Sequence, residues 1–530
     1  MVVPELRAWR AARPRLARLA RGARSRLAGA ARSVRPSSAG SARPRLARGA
    51  KLATWQFTAI AGTAGAVLAA GVVTAAGPWD STGQRTAERD RAVAGAGAGG
   101  TDHGTRSKRQ ADSAALPAPS AATVLAGLGG TGAAAGSVGT APTGRALTGL
   151  LGPLLGDAAL GTAHTAAVVD VSSGRALYTK DAGRALTPAS TTKIATAVAA
   201  LSALGTDHRF TTRAALEPDT KELVLVGGGD PTLTAHADAD GWASLRTLAD
   251  STAAALKKRG IKRVTLSYDT TLYAGTALHP IGVNDNLAPV SALVADEGRT
   301  DDSTSGPTAR VSDPAVSAAR TFAGFLKRHG VTTTSPGPSK ATGRAATLAS
   351  VSSPPLSDVV ERMLTNSDND IAEALARQTA VAAGTRADFA GGAAAVGARL
   401  KLLGLPVAGA RFHDGSGLDR DDRLTANLLT ALLVKAGAAD HPELRPVLTG
   451  LPVAGFTGTL SGRYAGDGAA GVVRAKTGTL TGVNALAGTV VDKDGRMLAF
   501  AFLTSGTTDP TAAISALDRT ATALAGCGCH

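Results

Sequence analysis

Three short stretches hold residues whose types and spacing could do chemistry. Ser190 and Lys193 stand three apart in TPASTTKIATAVAAL (residues 187–201), Ser367 and Asn369 form the only S-x-N of the chain, and Lys476, Thr477 and Gly478 its only K-T-G. A serine hydroxyl is a weak nucleophile until a base removes its proton, and a lysine kept neutral by burial or by a nearby cation is such a base. Residues three apart share a helix face, so Ser190 and Lys193 suit a nucleophile and its proton acceptor if this stretch is helical. The pair alone says little, because the same spacing arises by chance on many surface helices. Here it is the only serine three before a lysine, and the other two motifs follow it by 177 and 286 residues.

The elements that must position these residues are legible on either side. Thr187 suits a helix N-cap and Pro188 the first helical position, with Ile194, Val198 and Leu201 as one buried stripe and Gly205 as the stop. Upstream, Leu147, Leu150, Leu151, Leu154 and Leu155 predict a short helix, and Ala166 to Lys180 a hairpin turning at Ser172 to Gly174. At the far end Val472 to Leu480 reads as a strand and Ala485 to Leu503 as a hairpin turning at Asp492 to Gly495. A closing helix capped by Asp509 follows. The expectation is an α/β (α+β) fold, an antiparallel sheet flanked by helices and built from both chain ends. Residues 206–350 read as an insertion of one or two subdomains, with strands at 209–216, 221–227 and 262–268, helices at 243–258 and 314–329, and a polar loop at 296–308.

The N-terminal part has a different composition. Residues 1–51 carry 13 arginines and one lysine against the single acid Glu5, so most of the formal charge of +16 belongs to that tail. An uncharged apolar run follows at 52–77 with Trp55 and Trp79 near its ends, long enough for a transmembrane helix. The basic lead predicts a cytoplasmic N-terminus and a single-pass cell-membrane protein. A cleaved signal is the alternative, in which case the protein is secreted. Residues 78–142 are rich in Ala, Gly, Ser and Thr and read as a disordered linker. No nucleic acid partner is expected.

Other conspicuous residues have plainer readings. Gly227 to Gly229 with Asp230 reads as a tight turn, since no Gly-Lys-Ser/Thr follows. His413, Asp414 and Ser416 read as a structural loop near the cleft, since neighbours in sequence rarely form a triad and G-x-S-x-G is absent. Asp368 is expected to point away from Ser367 and Asn369. Cys527 and Cys529, two apart and next to His530, read as a frayed tail. No cofactor or metal signature is present.

Taken in order, the three motifs resemble those of penicillin-binding proteins and serine β-lactamases. Longer stretches sharpen the likeness: VGGGDPTL (226–233), SPPLSDVVERMLTNSDNDIAEALARQTA (353–380), DGSGLDR (414–420) and RAKTGTLTGV (474–483). Over residues 145–525 the chain resembles the D-alanyl-D-alanine carboxypeptidase/endopeptidase family, the class C low-molecular-mass penicillin-binding proteins of peptidase family S13. The resemblance implies a penicillin-binding/β-lactamase-like catalytic domain from residues 143–205 and 351–526, with 206–350 as that family's insertion. It implies an acyl-enzyme on Ser190 with Lys193 as proton acceptor and Ser367 relaying a proton to the leaving amine. Asn369 would orient Lys193 and bond a substrate amide. Lys476 and Thr477 would hold a substrate carboxylate, and Lys476 would also disfavour the charged form of Lys193. Gly478 would let the substrate backbone lie against the strand, and the amides of Ser190 and Thr479 would form the oxyanion hole. Peptidoglycan stem peptides are the implied substrates and β-lactams the covalent inhibitors. A β-lactamase or esterase on the same scaffold and a non-catalytic penicillin sensor are the alternatives, although no E-x-x-L-N lies between SDN and KTG.

Overall fold

The computed structural model describes residues 141–529. The basic tail, the apolar run and all but the end of the linker lie outside the described residues, as does His530. Among the described residues no helix is long and apolar enough to cross a membrane.

Helix α1 (Gly144–Leu155) leads into strands β1 (Ala163–Asp170) and β2 (Ala176–Lys180), then a 3₁₀ turn (Ala189–Thr191) and helix α2 (Thr192–Leu204). From the far end come β9 (Val473–Leu480), β10 (Val483–Val491), β11 (Met497–Ser505) and the final helix Pro510–Ala525. These five strands form one antiparallel sheet in the order β2-β1-β11-β10-β9, so both chain ends build it as expected. Strand side chains alternate between faces. Leu486, Val490, Phe500 and Phe502 pack with Leu147, Leu151 and Leu517 beneath α1 and the final helix. The opposite face carries small residues, Ala485, Ala487, Ala499 and Ala501, and receives the helical half of the domain.

That half consists of α2 with residues 356–437. Within it α5 (Leu356–Asn366), α6 (Asn369–Ala382), α7 (Phe389–Leu402) and α8 (Ala426–Gly437) follow the insertion's α3 (Leu245–Lys258) and α4 (Pro314–Arg328). Helix α2 differs from its sequence reading in two ways. All residues from Thr192 to Leu201 are buried, so it is a central helix enclosed on every side, and its run of Ala and Thr lets α6 and α7 approach closely. Its N-terminus is a 3₁₀ turn, and Thr187 is not the cap. The Thr187 hydroxyl donates to the Arg420 carbonyl and accepts from Arg423 Nη1.

The insertion holds a second sheet in the order β6-β5-β4-β3-β8, comprising β3 (Thr211–Leu216), β4 (Glu222–Val226), β5 (Arg263–Asp269), β6 (Thr332–Thr333) and β8 (Ala346–Ser352). Short β7 (Gly337–Pro338) pairs with β5. Helices α3 and α4 cover it through Leu248, Leu256, Phe322 and Leu326. Strand β8 was not expected; ATLASVS carries one large apolar residue at each of two positions and gives little periodic signal. The C-terminal reading is also corrected. Cys527 is buried against the sheet core, its carbonyl accepts from Lys493 N, the Cys529 carbonyl accepts from Thr143 N, and the two cysteines are joined in a disulfide.

Candidate active site

Ser190 sits on the 3₁₀ turn at the start of α2, immediately after Ala189, whose φ of 48° is a left-handed conformation that a non-glycine residue adopts only when its surroundings enforce it. Two glycines provide that enforcement. A Cβ on Gly478 of β9 would lie 2.6 Å from the Pro188 carbonyl oxygen, and one on Gly417 would lie 2.0 Å from that of Ala189. The turn is therefore pressed between the strand and the 414–417 loop. The expectation that Gly478 makes room for a substrate backbone has a different physical basis: the space beside its Cα is filled by residue 188.

Lys193 lies one turn on and is fully buried. Its Nζ makes three contacts: Ser190 Oγ at 3.0 Å, Asn369 Oδ1 at 2.6 Å and the Ser416 carbonyl at 2.8 Å. Asn369 Oδ1 is fixed as the acceptor because Nδ2 of the same amide donates to the Asn286 carbonyl. Both of those partners only accept, so they take both hydrogens of a neutral amine and leave its lone pair facing the Ser190 hydroxyl. Burial pulls Lys193 down to about 8, against the upward pull of Asp414, Glu373, Asp368 and Asp370. Depression by burial is thus the main reason this lysine is available as a base.

Ser367 ends α5 in a left-handed conformation (φ 59°), and Asp368 caps α6 by accepting from Ile371 N, as its structural reading required. Lys476 donates to Ser367 Oγ at 2.8 Å and to the Thr477 carbonyl at 2.7 Å. Burial depresses the Lys476 ammonium well below its usual range, and the charge of Lys193 adds to this. Thr477 Oγ1 is hydrogen-bonded to Thr459 Oγ1.

Ser190, Ser367, Asn369 and Thr479 line one cleft of about 290 Å³, whereas Lys193 and Lys476 lie beneath its floor. Lys476 touches Ser367 from below, whereas Thr477 and Gly478 do not line the cleft: Thr477 bonds Thr459 and Gly478 packs against Pro188 behind Ser190. β9 borders the cleft as the terminal strand of its sheet. The insertion supplies a wall that sequence reasoning missed: Asn286, Arg299, Gly306, Pro307 and Arg310. The 296–308 stretch is therefore more than a polar loop. Its Glu297 is buried and meets Arg299, Arg310 and Arg362, while Arg310 reaches Asp370 Oδ2 at 3.1 Å.

The 413–417 loop does not form a triad. Asp414 accepts from His279 Nε2, Gly417 N and Asp419 N, and the part of Ser416 that reaches the site is its carbonyl. Among the described residues two groups have ligand-like spacing, His279 with Glu373 and Asp414, and Glu297 with Asp368 and Asp370. The first is engaged by backbone N–H groups of the loop and by its own internal bond, and the second faces three arginines, so protein groups already meet their charge.

Residues 147–306 and 300–524 match the profile of the D-Ala-D-Ala carboxypeptidase 3 (S13) family. The chain is 38% identical over 404 residues to carboxypeptidase DacB of Mycolicibacterium smegmatis, covering 73% of this chain and 85% of that protein. It is 36% identical over 374 residues to a carboxypeptidase of Mycobacterium tuberculosis, covering 68% and 80%. Among solved structures, penicillin-binding protein 4 of Haemophilus influenzae superposes with a TM-score of 0.58 at 23% identity, covering 70% of this chain and 97% of that one. That protein has also been solved with a bound β-lactam. The likeness establishes the penicillin-binding/β-lactamase-like fold.

Proposed function

The chain belongs to the D-Ala-D-Ala carboxypeptidase 3 (S13) family, a serine-type D-Ala-D-Ala carboxypeptidase of peptidoglycan, and we propose that Ser190 is its acylated nucleophile and Lys193 the base. The observation that carries the assignment is the set of three contacts at Lys193 Nζ, in which two acceptors leave the lone pair to the Ser190 hydroxyl.

In the proposed sequence Ser190 Oγ attacks the carbonyl of the penultimate D-alanine while its proton passes to Lys193. The amides of Ser190 and Thr479 stabilise the developing oxyanion, with the gain expected of fixed dipoles aimed at new charge. Ser367, bonded to Lys476, relays a proton to the departing amine of the terminal D-alanine and regains one as Lys193 gives up the proton it took from Ser190. Water then cleaves the ester with the same groups acting in reverse. Thr479 and Thr477 at the strand edge hold the substrate backbone and its terminal carboxylate by strand addition, with Gly478 keeping that strand close to the turn of Ser190. Lys476 lies beneath this end of the cleft, bonded to Ser367 and the Thr477 carbonyl, and an arriving carboxylate would favour its charged form. A β-lactam acylates Ser190 in the same way and leaves slowly.

Labelled penicillin tests the assignment. Covalent label is expected on Ser190 and absent from Ser190→Ala; label that survives the substitution refutes it. Cleavage of a D-alanyl crosslink as well as a terminal D-alanine is part of the proposal, and mass analysis of products from monomeric and crosslinked muropeptides separates the two. We also place the catalytic region outside the cytoplasm, tethered by residues 52–77. Recovery of the full chain in the soluble fraction, with its N-terminus intact, would overturn that placement.

A further inference from the structure

Glu373 is a buried acid with no part in the steps above. It lies four residues after Asn369 on α6, so the two side chains share a face. Asn369 touches Lys193 directly. Glu373 reaches it through the 414–417 loop: its Oε1 accepts from Ser416 N at 2.8 Å and from Gly415 N at 3.1 Å, and Oε2 lies 3.2 Å from Gly415 N. The Ser416 carbonyl is the acceptor that takes the third contact of Lys193 Nζ. Thr196 of α2 holds the same loop from the other side, donating to the Gly415 carbonyl at 2.6 Å. Gly415 has no room for a side chain, since a Cβ would lie 2.6 Å from the Ala372 carbonyl oxygen. The loop is thus clamped onto α6 at the two peptides preceding the carbonyl that orients the base.

We propose that Glu373 is a positioning residue for Lys193, fixing the Ser416 carbonyl through two backbone N–H groups and supplying negative charge that keeps the buried amine basic. The proposal rests on the reading that Ser190 is acylated with Lys193 as base. A glutamine would keep the bonds from Ser416 N and Gly415 N to Oε1 and lose only the longer one to Oε2, and a carboxylate is costly to bury. A charge at this position therefore has a consequence for its neighbours. Burial alone would drive Lys193 lower, into a range where the amine is neutral but a poorer proton acceptor.

The titratable and charged groups around Glu373 come from four elements. They are Lys193 on α2, Arg377 one turn further along α6, His279 from the insertion, and Asp414 and Asp422 from the loop. His279 Nδ1 accepts from Ile281 N and Nε2 donates to Asp414; burial pulls the ring down, but that bond and the surrounding carboxylates hold it above its usual range. Burial and the adjacent Asp414 raise Asp422 to about 10, so it is neutral where Lys193 titrates. Burial and Asp414 raise Glu373 above its ordinary value, to about 7, while the Ser416 and Gly415 N–H groups that it accepts favour its charged form.

The test measures the rate of acylation of the full chain by labelled penicillin from pH 6 to 10. In the wild type the rate should rise as Lys193 loses its proton near pH 8. Glu373→Gln keeps the loop and removes the charge. The rising limb should then move about one pH unit to lower pH, while the plateau stays within about tenfold. A limb that coincides with the wild type overturns the proposal. Should Glu373→Gln fail to fold, Glu373→Asp retains the charge and withdraws it by one methylene. A limb at the wild-type pH with a lowered plateau supports the proposal, and an unchanged profile or a displaced limb overturns it. Absence of label from wild-type Ser190 overturns the functional reading instead, so the two failures are distinguishable.

Discussion

Gly478→Ala probes how the strand edge fixes the nucleophile. The added Cβ would sit 2.6 Å from the Pro188 carbonyl oxygen and 3.2 Å from the Cβ atoms of both Ala189 and Ala485. Ordinary contact begins at 3.4 Å, so the turn bearing Ser190 must retreat by about 0.8 Å or β9 must bend by as much. Overpacking of this kind costs about 1–3 kcal/mol. Unfolding entropy is about 2.1 cal/mol/K per residue, which over residues 141–529 gives a loss in Tm on the order of 2–3 °C for about 2 kcal/mol. The chemical effect is larger, because displacement of a reacting group by about 1 Å costs roughly 100-fold in rate. Penicillin acylation followed by label incorporation, with Tm by calorimetry, should therefore show at least a tenfold slower reaction in a nearly fully stable protein. Gly462→Ala is the control, as nothing lies within 4 Å of its Cβ position. Acylation of Gly478→Ala within twofold of the wild type would refute the argument that this contact sets the position of Ser190.

Two other substitutions test the electrostatics. Asn369→Ala removes the 2.6 Å acceptor of Lys193 and strands the Asn286 carbonyl, and a hydrogen bond to a charged or chargeable group is worth about 1.5–3 kcal/mol. Acylation should fall by roughly 10- to 100-fold with secondary structure by circular dichroism unchanged; a loss below threefold would contradict the lone-pair argument. Asp170, at the end of β1, has its carboxyl pushed up by burial but held at about 2 by hydrogen bonds from Ser172, Ser173 and Arg496. Its folded value lies below the ordinary 3.8, so the stability it contributes is present above about pH 4 and is lost as pH falls through about 2. Asp170→Asn should lower Tm at pH 7 and flatten the decline of Tm between pH 5 and 2. Parallel curves for the two proteins would count against it.

The sequence by itself determined a good deal. The spacing of Ser190 and Lys193, the unique S-x-N and K-T-G, and the turn residues Ser172 to Gly174 and Asp492 to Gly495 are local properties written in neighbouring residues. They identified the sheet, the candidate residues and the family resemblance. Where a local rule met a tertiary constraint it failed: Thr187 and Pro188 look like a helix start, yet Arg420, Arg423 and Gly478 claim that segment for other contacts. The fuller composition of the site was decided only by the tertiary structure. A backbone carbonyl has no sequence signature, so the Ser416 oxygen, 223 residues from Lys193, could not be read from any motif. Arg299 lies in a loop whose polar composition gave no hint that it walls the cleft, and Arg310 lies just beyond it. The depression of Lys193 to about 8 is likewise a property of the whole interior, because desolvation sums over every atom packed around the amine. Residue types at fixed spacing named a nucleophile and a base; the enclosed position of α2 among the other helices is what makes that lysine able to act as one.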